Sequence, residues 1–142
     1  MKGFTLIELL IVTAFTALLL SFIVPITLQF LRVQNLVDTT NTLISSLRDA
    51  QNQAVFQNND SAFGIKFSSD SYTVFQGSSY TTRTDGEDTS ITLPNNVTLS
   101  GIDEVVFAKR TGIPNITGTL LLQSGSKSMS LVINQQGVIE LL

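Results

Sequence analysis

The sequence predicts an α+β chain, with one long N-terminal helix packed on a C-terminal antiparallel β-sheet domain. Three observations lead there. The run from Leu9 to Leu31 is apolar and carries no charge. An apolar stripe with helical spacing follows it without a breaker, and after Asp60 the apolar period falls from 3.6 to 2.

Composition narrows the function classes early. The 142 residues suit one domain better than two. Charged residues make up only 13% of them, about half the usual share. Neutral polar residues replace the missing charge: 15 Ser, 17 Thr, 9 Asn and 9 Gln. The net charge of −3 gives bulk electrostatics no role in drawing nucleic acid. With no Cys there are no disulfides, thiolate metal sites or cysteine nucleophiles, and with no His there is no imidazole catalysis. No catalytic, cofactor-binding or metal-ligating constellation emerges from what is left.

From Phe4 to Leu31 the one charge is Glu8. About 20 apolar residues cross a bilayer core as a helix, so this stretch is long enough with some tilt. The apolar part of a secretory signal peptide is shorter, about 7–15 residues, and ends at a small-x-small site that is missing here. Lys2 precedes the run and Arg32 follows it directly, so the distribution of basic residues sets no orientation. An N-terminus kept in the cytoplasm would leave the polar C-terminal part outside it.

The second half of the helix is amphipathic. Val33, Leu36, Val37, Thr40, Leu43, Ile44, Leu47, Ala50, Ala54 and Val55 form one stripe, with Gln34, Asp38, Asn41, Arg48 and Asp49 on the solvated side. The simplest reading is one helix from Phe4 to Gln57, roughly 80 Å long. Pro25 removes a backbone donor and leaves the Ser21 carbonyl unpartnered, which predicts a kink there rather than a stop. The turn formers Gln57-Asn58-Asn59-Asp60 close the pattern.

Short strands are expected beyond this point: Phe63–Phe67, Tyr72–Gln76, a weaker Thr-rich Ser79–Thr84, Ser90–Leu93, Val97–Ser100, Glu104–Lys109, Gly118–Gln123, Ser128–Asn134 and Val138–Leu141. Met129, Leu131 and Ile133 share one face of theirs, and Gln135-Gln136-Gly137 reads as the following hairpin turn. The helix stripe needs an apolar partner, which sheets with one apolar face supply.

Gly3-Phe4-Thr5-Leu6-Ile7-Glu8-Leu9-Leu10 resembles the class III signal of type IV pilins and type II secretion pseudopilins. In that family a basic leader ends in Gly, followed by Phe, an apolar stretch and a Glu four residues after the Phe. Leu47–Val55, Val106–Gly112, Gly118–Leu122 and Leu131–Ile139 are similar to elements of the GspH/FimT-like minor pseudopilins. The resemblance implies a leader of residues 1–3, a transmembrane and assembly helix over 4–31, its amphipathic continuation over 32–60 and an antiparallel β domain over 61–142. It implies cleavage between Gly3 and Phe4 by an intramembrane aspartic prepilin peptidase, with N-methylation of Phe4. It further implies that Glu8 pairs with the freed amino group of Phe4 on a neighbouring subunit. The alternative for Glu8 is a carboxylate at the headgroup boundary, since any ionisable group inside an apolar segment is costly.

The implied partners are other pilin or pseudopilin subunits, the prepilin peptidase, the membrane, and an inner-membrane assembly platform with its ATPase. The implied location is the cytoplasmic membrane in a single pass, with the β domain outside the cytoplasm, and a surface or periplasmic filament after assembly. The competing class is an anchored extracytoplasmic binding domain that never polymerises. Pilins of the FimT kind include DNA receptors, but Lys109-Arg110 is the one basic pair and falls far short of a phosphate-binding patch. The carboxylates of Asp85-Gly86-Glu87-Asp88 lack the spacing of a calcium loop and read as a solvated turn. Three Asn-x-Ser/Thr triplets begin at Asn59, Asn96 and Asn115, as chance allows in so polar a chain.

Overall fold

The computed structural model describes residues 3–56, 60–83 and 86–142, with residues 24 and 25 described by backbone only. The turn formers 57–59, the end of the expected Thr-rich strand at 84, Asp85 and Lys2 therefore lie outside the described residues. One helix, α1 (Leu6–Val55), holds 50 residues and extends ~75 Å. It passes position 25 without interruption, so the proline does not end it.

Eight strands follow: β1 (Phe63–Phe67), β2 (Ser71–Gln76), β3 (Thr89–Thr92), β4 (Thr98–Gly101), β5 (Glu104–Phe107), β6 (Gly118–Ser124), β7 (Lys127–Ile133) and β8 (Ile139–Leu141). They form two antiparallel four-stranded sheets, ordered β3-β2-β1-β5 and β4-β6-β7-β8. Both sheets pack on the C-terminal half of α1. From the helix the core takes Leu36, Leu43, Leu47, Ala50 and Ala54; the first sheet adds Phe63, Ile65, Phe67 and Phe107, the second Leu120, Leu122, Leu131 and Ile133. This is the stripe and the alternation that the sequence carries. Each fully buried aliphatic side chain stabilises the fold by about 1.5–3 kcal/mol, an upper figure for an extended unfolded chain.

The expected strand Ser79–Thr84 does not form. Its centre is a 3-10 turn over Tyr80–Thr82, capped by the Ser79 hydroxyl, which accepts the Thr81 N–H at 3.2 Å. Phe75 is the cause. It is only 1% exposed, although it lies outside the main core. Opposite it in register stands Gly64, where a Cβ would come within 2.6 Å of the Phe75 ring. Phe75 therefore packs against Gly64 of β1, and its other side needs a cover. Tyr80 meets it edge-on at 5.5 Å, and the Arg83 guanidinium sits 4.0 Å above the Tyr80 ring. The segment folds back to cap an aromatic ring instead of extending the sheet. Expected strand ends also shift: the strand begun at Glu104 stops at Phe107, two residues short of Lys109.

Polar contacts tie the docked half of α1 at both ends. Near its start, Asn35 Nδ2 donates to Asn96 Oδ1 at 3.1 Å, and Asn96 Nδ2 donates to Ser124 Oγ at 3.0 Å. Near its end, Gln51 Nε2 donates to the carbonyls of Gly112 and Gly137 at 3.0 and 3.1 Å. The Arg110 N–H reaches the Ala54 carbonyl at 2.9 Å. Both glycines have positive φ, 64° at Gly112 and 79° at Gly137. A Cβ on Gly137 would stand 2.3 Å from Gln51 Nε2 and 2.9 Å from the Gly112 carbonyl oxygen. Midway, the Ser46 and Tyr72 hydroxyls share a 3.0 Å hydrogen bond.

Two outcomes follow from this packing. Gly137→Ala should destabilise the protein by more than the ~1 kcal/mol typical of point changes, because strain and a clash with the Gln51 amide add. Gly125→Ala, strained but with open space around its Cβ, should cost less; thermal unfolding of both variants compares them. Burial raises the Tyr72 phenol above its ordinary 10.0, and the Ser46 hydrogen bond opposes the shift. Above pH 10 the unfolded chain therefore holds fewer protons at this group than the folded one, and stability falls as pH rises. Melting temperatures taken from neutral pH upward should drop less steeply past pH 10 in Tyr72→Phe than in the unaltered chain.

Candidate assembly segment

The first described residues lead into the helix without regular secondary structure and unpacked. Gly3 has no atom within 4 Å of the position that a Cβ would take, and Phe4 is 84% exposed. Thr5 is the N-cap, with φ −82° and ψ 152°, and its hydroxyl accepts the Glu8 N–H at 3.3 Å. Thr5-x-x-Glu8 has the residue order of a capping box, with a carboxylate in the first turn where the helix dipole favours negative charge. Sequence reasoning missed this second use of Glu8, although the Thr-x-x-Glu spacing was its signal. Among the described residues nothing pairs with the Glu8 carboxylate.

From Gly3 to Gln34 every described side chain is exposed. This half of α1 is apolar on all sides, so no single contact face distinguishes it. An apolar surface of that extent needs apolar surroundings, either lipid or other helices. Its threonines suit such surroundings. The Thr13 hydroxyl donates to the Leu10 carbonyl at 3.0 Å, Thr16 to Val12 at 3.0 Å and Thr27 to Ile23 at 3.0 Å. These donors are satisfied within the helix and require nothing from solvent. By length and composition the helix can cross a membrane.

The remaining sequence candidates fall elsewhere. The Lys109 ammonium is hydrogen-bonded to Asp60 and holds that carboxyl below its ordinary value, with Arg110 adding to the effect. The basic pair is therefore partly neutralised by its own chain. In the acidic turn, Asp88 accepts from Arg83 Nε at 2.6 Å, while Asp85 is outside the described residues. Asn96 bridges Asn35 and Ser124, and Asn115 Oδ1 accepts the Val106 N–H at 2.8 Å, so both amides serve the fold. Asn59 lies outside the described residues.

No family model matches the sequence, and no curated protein matches it. Among solved structures, the fold is similar to that of the minor pseudopilin EpsH from the type 2 secretion system of Vibrio cholerae. The TM-score is 0.57 at 13% sequence identity, over 73% of this chain and 93% of that one. A long N-terminal helix laid against antiparallel sheets thus gives this chain the pilin-like α+β fold of a pseudopilin.

Proposed function

We propose that the chain is a structural, non-catalytic subunit, of the minor kind, in a type II secretion pseudopilus or a type IV pilus. One observation carries this reading. The first half of α1 is apolar and exposed all round, yet continuous with a half that is firmly docked on a folded domain. A helix of that kind can rest in a bilayer and then enter a bundle of like helices, while the β domain stays outside the cytoplasm. The EpsH-like fold supports the pseudopilin form of the reading.

The processing step is proposed to fall between Gly3 and Phe4, ahead of the helix start. A peptidase needs an extended backbone, and residues 3–5 precede the first helical turn. Gly3 adds no side chain that would obstruct a narrow active site. Cleavage frees the Phe4 amino group one helical turn from Glu8, and the proposed pairing joins that amino group to the Glu8 carboxylate of a neighbouring subunit. The partners are then other subunits of the filament, the prepilin peptidase, and the assembly platform with its ATPase.

Intact mass of the exported protein tests the first step. The chain should begin at Phe4 and carry one N-methyl group, and a mass that retains Met1, Lys2 and Gly3 would remove the processing claim. Glu8→Ala tests the second. Export and cleavage should persist, while recovery of processed subunit in sheared or cross-linked filaments should fall at least about tenfold, since a buried charge left unpaired costs several kcal/mol. Normal incorporation of Glu8→Ala would return this carboxylate to the headgroup boundary.

A further inference from the structure

At the level where the uncharged run ends, the hairpin turn between β6 and β7 comes down onto α1. Gly125 and Ser126 form the turn, and Gly125 has φ 59° at its first position, as in a type II′ hairpin. Between this turn and the helix lies a cleft of about 310 Å³, lined by Leu28, Gln29, Arg32 and Val33 on one side and by residues 124–127 on the other. Its wall is fixed from behind, because Ser124, 3% exposed, is held by Asn96 and through it by Asn35.

Two cations border the cleft, and what sets them apart is that they share one recess. Elsewhere Lys66 pairs with Asp103 at 3.0 Å, Arg83 with Asp88 at 2.6 Å and Lys109 with Asp60. Arg32 and Lys127, like Arg48, are exposed and have no hydrogen-bond or ion-pair partner among the described residues, but only these two share a cleft, and no carboxylate lines it. Two cations thus face one recess in a chain whose net charge is −3. Ser126 and Gln29 add exposed polar donors, and Leu28 supplies an apolar wall below.

The position decides what fits. The uncharged run Leu9–Leu31 extends ~35 Å, against ~30 Å for a hydrocarbon core, so Arg32 emerges in the headgroup layer. Resting on the membrane-anchored reading above, we propose that this cleft seats the phosphate of an anionic phospholipid headgroup between Arg32 and Lys127. The acyl chains run down past Leu28, and the phosphate draws a domain of otherwise unfavourable charge onto the bilayer in one orientation.

The test uses the full chain in nanodiscs of phosphatidylcholine with a minority of phosphatidylglycerol, and native mass spectrometry to count the lipids retained. The unaltered protein should retain phosphatidylglycerol in preference to phosphatidylcholine. Arg32→Gln with Lys127→Gln should lower that preference about thirtyfold, the product of two near-surface cations. Arg48→Gln, a change at an exposed cation near the other end of the docked helix, should leave it unaltered. Ser126→Trp keeps both charges but fills the cleft, and should also lower it; full retention in that variant would mean that charge alone acts and would overturn the site. Undiminished preference in the double variant would overturn it as well. Excess inorganic phosphate should not displace the lipid, and ready displacement would make free phosphate the occupant and overturn the lipid assignment. A chain that enters the nanodisc without lipid preference overturns this proposal alone. A chain that fails to enter it overturns the membrane-anchored reading too.

Discussion

One uninterrupted helix, α1, has to serve two different surroundings, and the rest of the molecule is arranged around that constraint. Within a single helix, backbone groups are satisfied whatever lies outside, the Ser21 carbonyl opposite Pro25 excepted, so the first half needs little other protein contact to exist. The second half has a stripe of small and aliphatic residues that cannot remain wet. The two sheets answer that stripe. Their apolar faces meet Leu36, Leu43 and Leu47, while Ala50 and Ala54 let the chain come close enough for backbone contacts from the loops. Removal of the sheets would leave an amphipathic rod, and removal of the stripe would leave sheets with an open core.

Much of the helix and most strands were legible because their periodicities were clean. The stripe from Leu36 to Ala54 has a spacing that admits only a helix, and Phe63, Ile65 and Phe67 alternate as a half-buried strand must. What stayed illegible was non-local. Nothing in the sequence says that eight strands divide into two sheets, because that division rests on pairings such as β4 with β6 across the intervening β5. The turn at Tyr80–Thr82 was misread as a strand for a related reason. Thr favours strands, but the local Ser79 cap and the need to cover Phe75 prevail over that weak preference. At the N-terminus the Gly3-Phe4…Glu8 order was conspicuous, whereas the Thr5 cap that orients Glu8 needed the helix start to be known first.

The contacts of Gln51 show how little polar material is needed to fix the angle of a long rod. One amide spans two glycine carbonyls from loops 61 and 86 residues away in sequence. With the Asn35–Asn96–Ser124 relay at the opposite end, α1 is gripped at two places along its docked half. Two such points remove both sliding and swinging, which a greasy stripe alone would permit. The exposed half therefore projects in a direction set by the domain.

The inward hydrogen bonds of Thr13, Thr16 and Thr27 have a consequence for how the rod can travel. A helix whose hydroxyls turn back to its own carbonyls presents the same chemistry to acyl chains as to leucines of a neighbour. At these three positions, exchange of one apolar surrounding for the other breaks and makes no hydrogen bond, which leaves Ser21 and Gln29 as the polar side chains of the run whose surroundings matter. The tip differs, because the Glu8 carboxylate is sensitive to its electrostatic setting in a way that the threonine hydroxyls are not. The threonine-bearing turns of the stem are thus indifferent to which apolar medium holds them, whereas the carboxylate of the first turn is not.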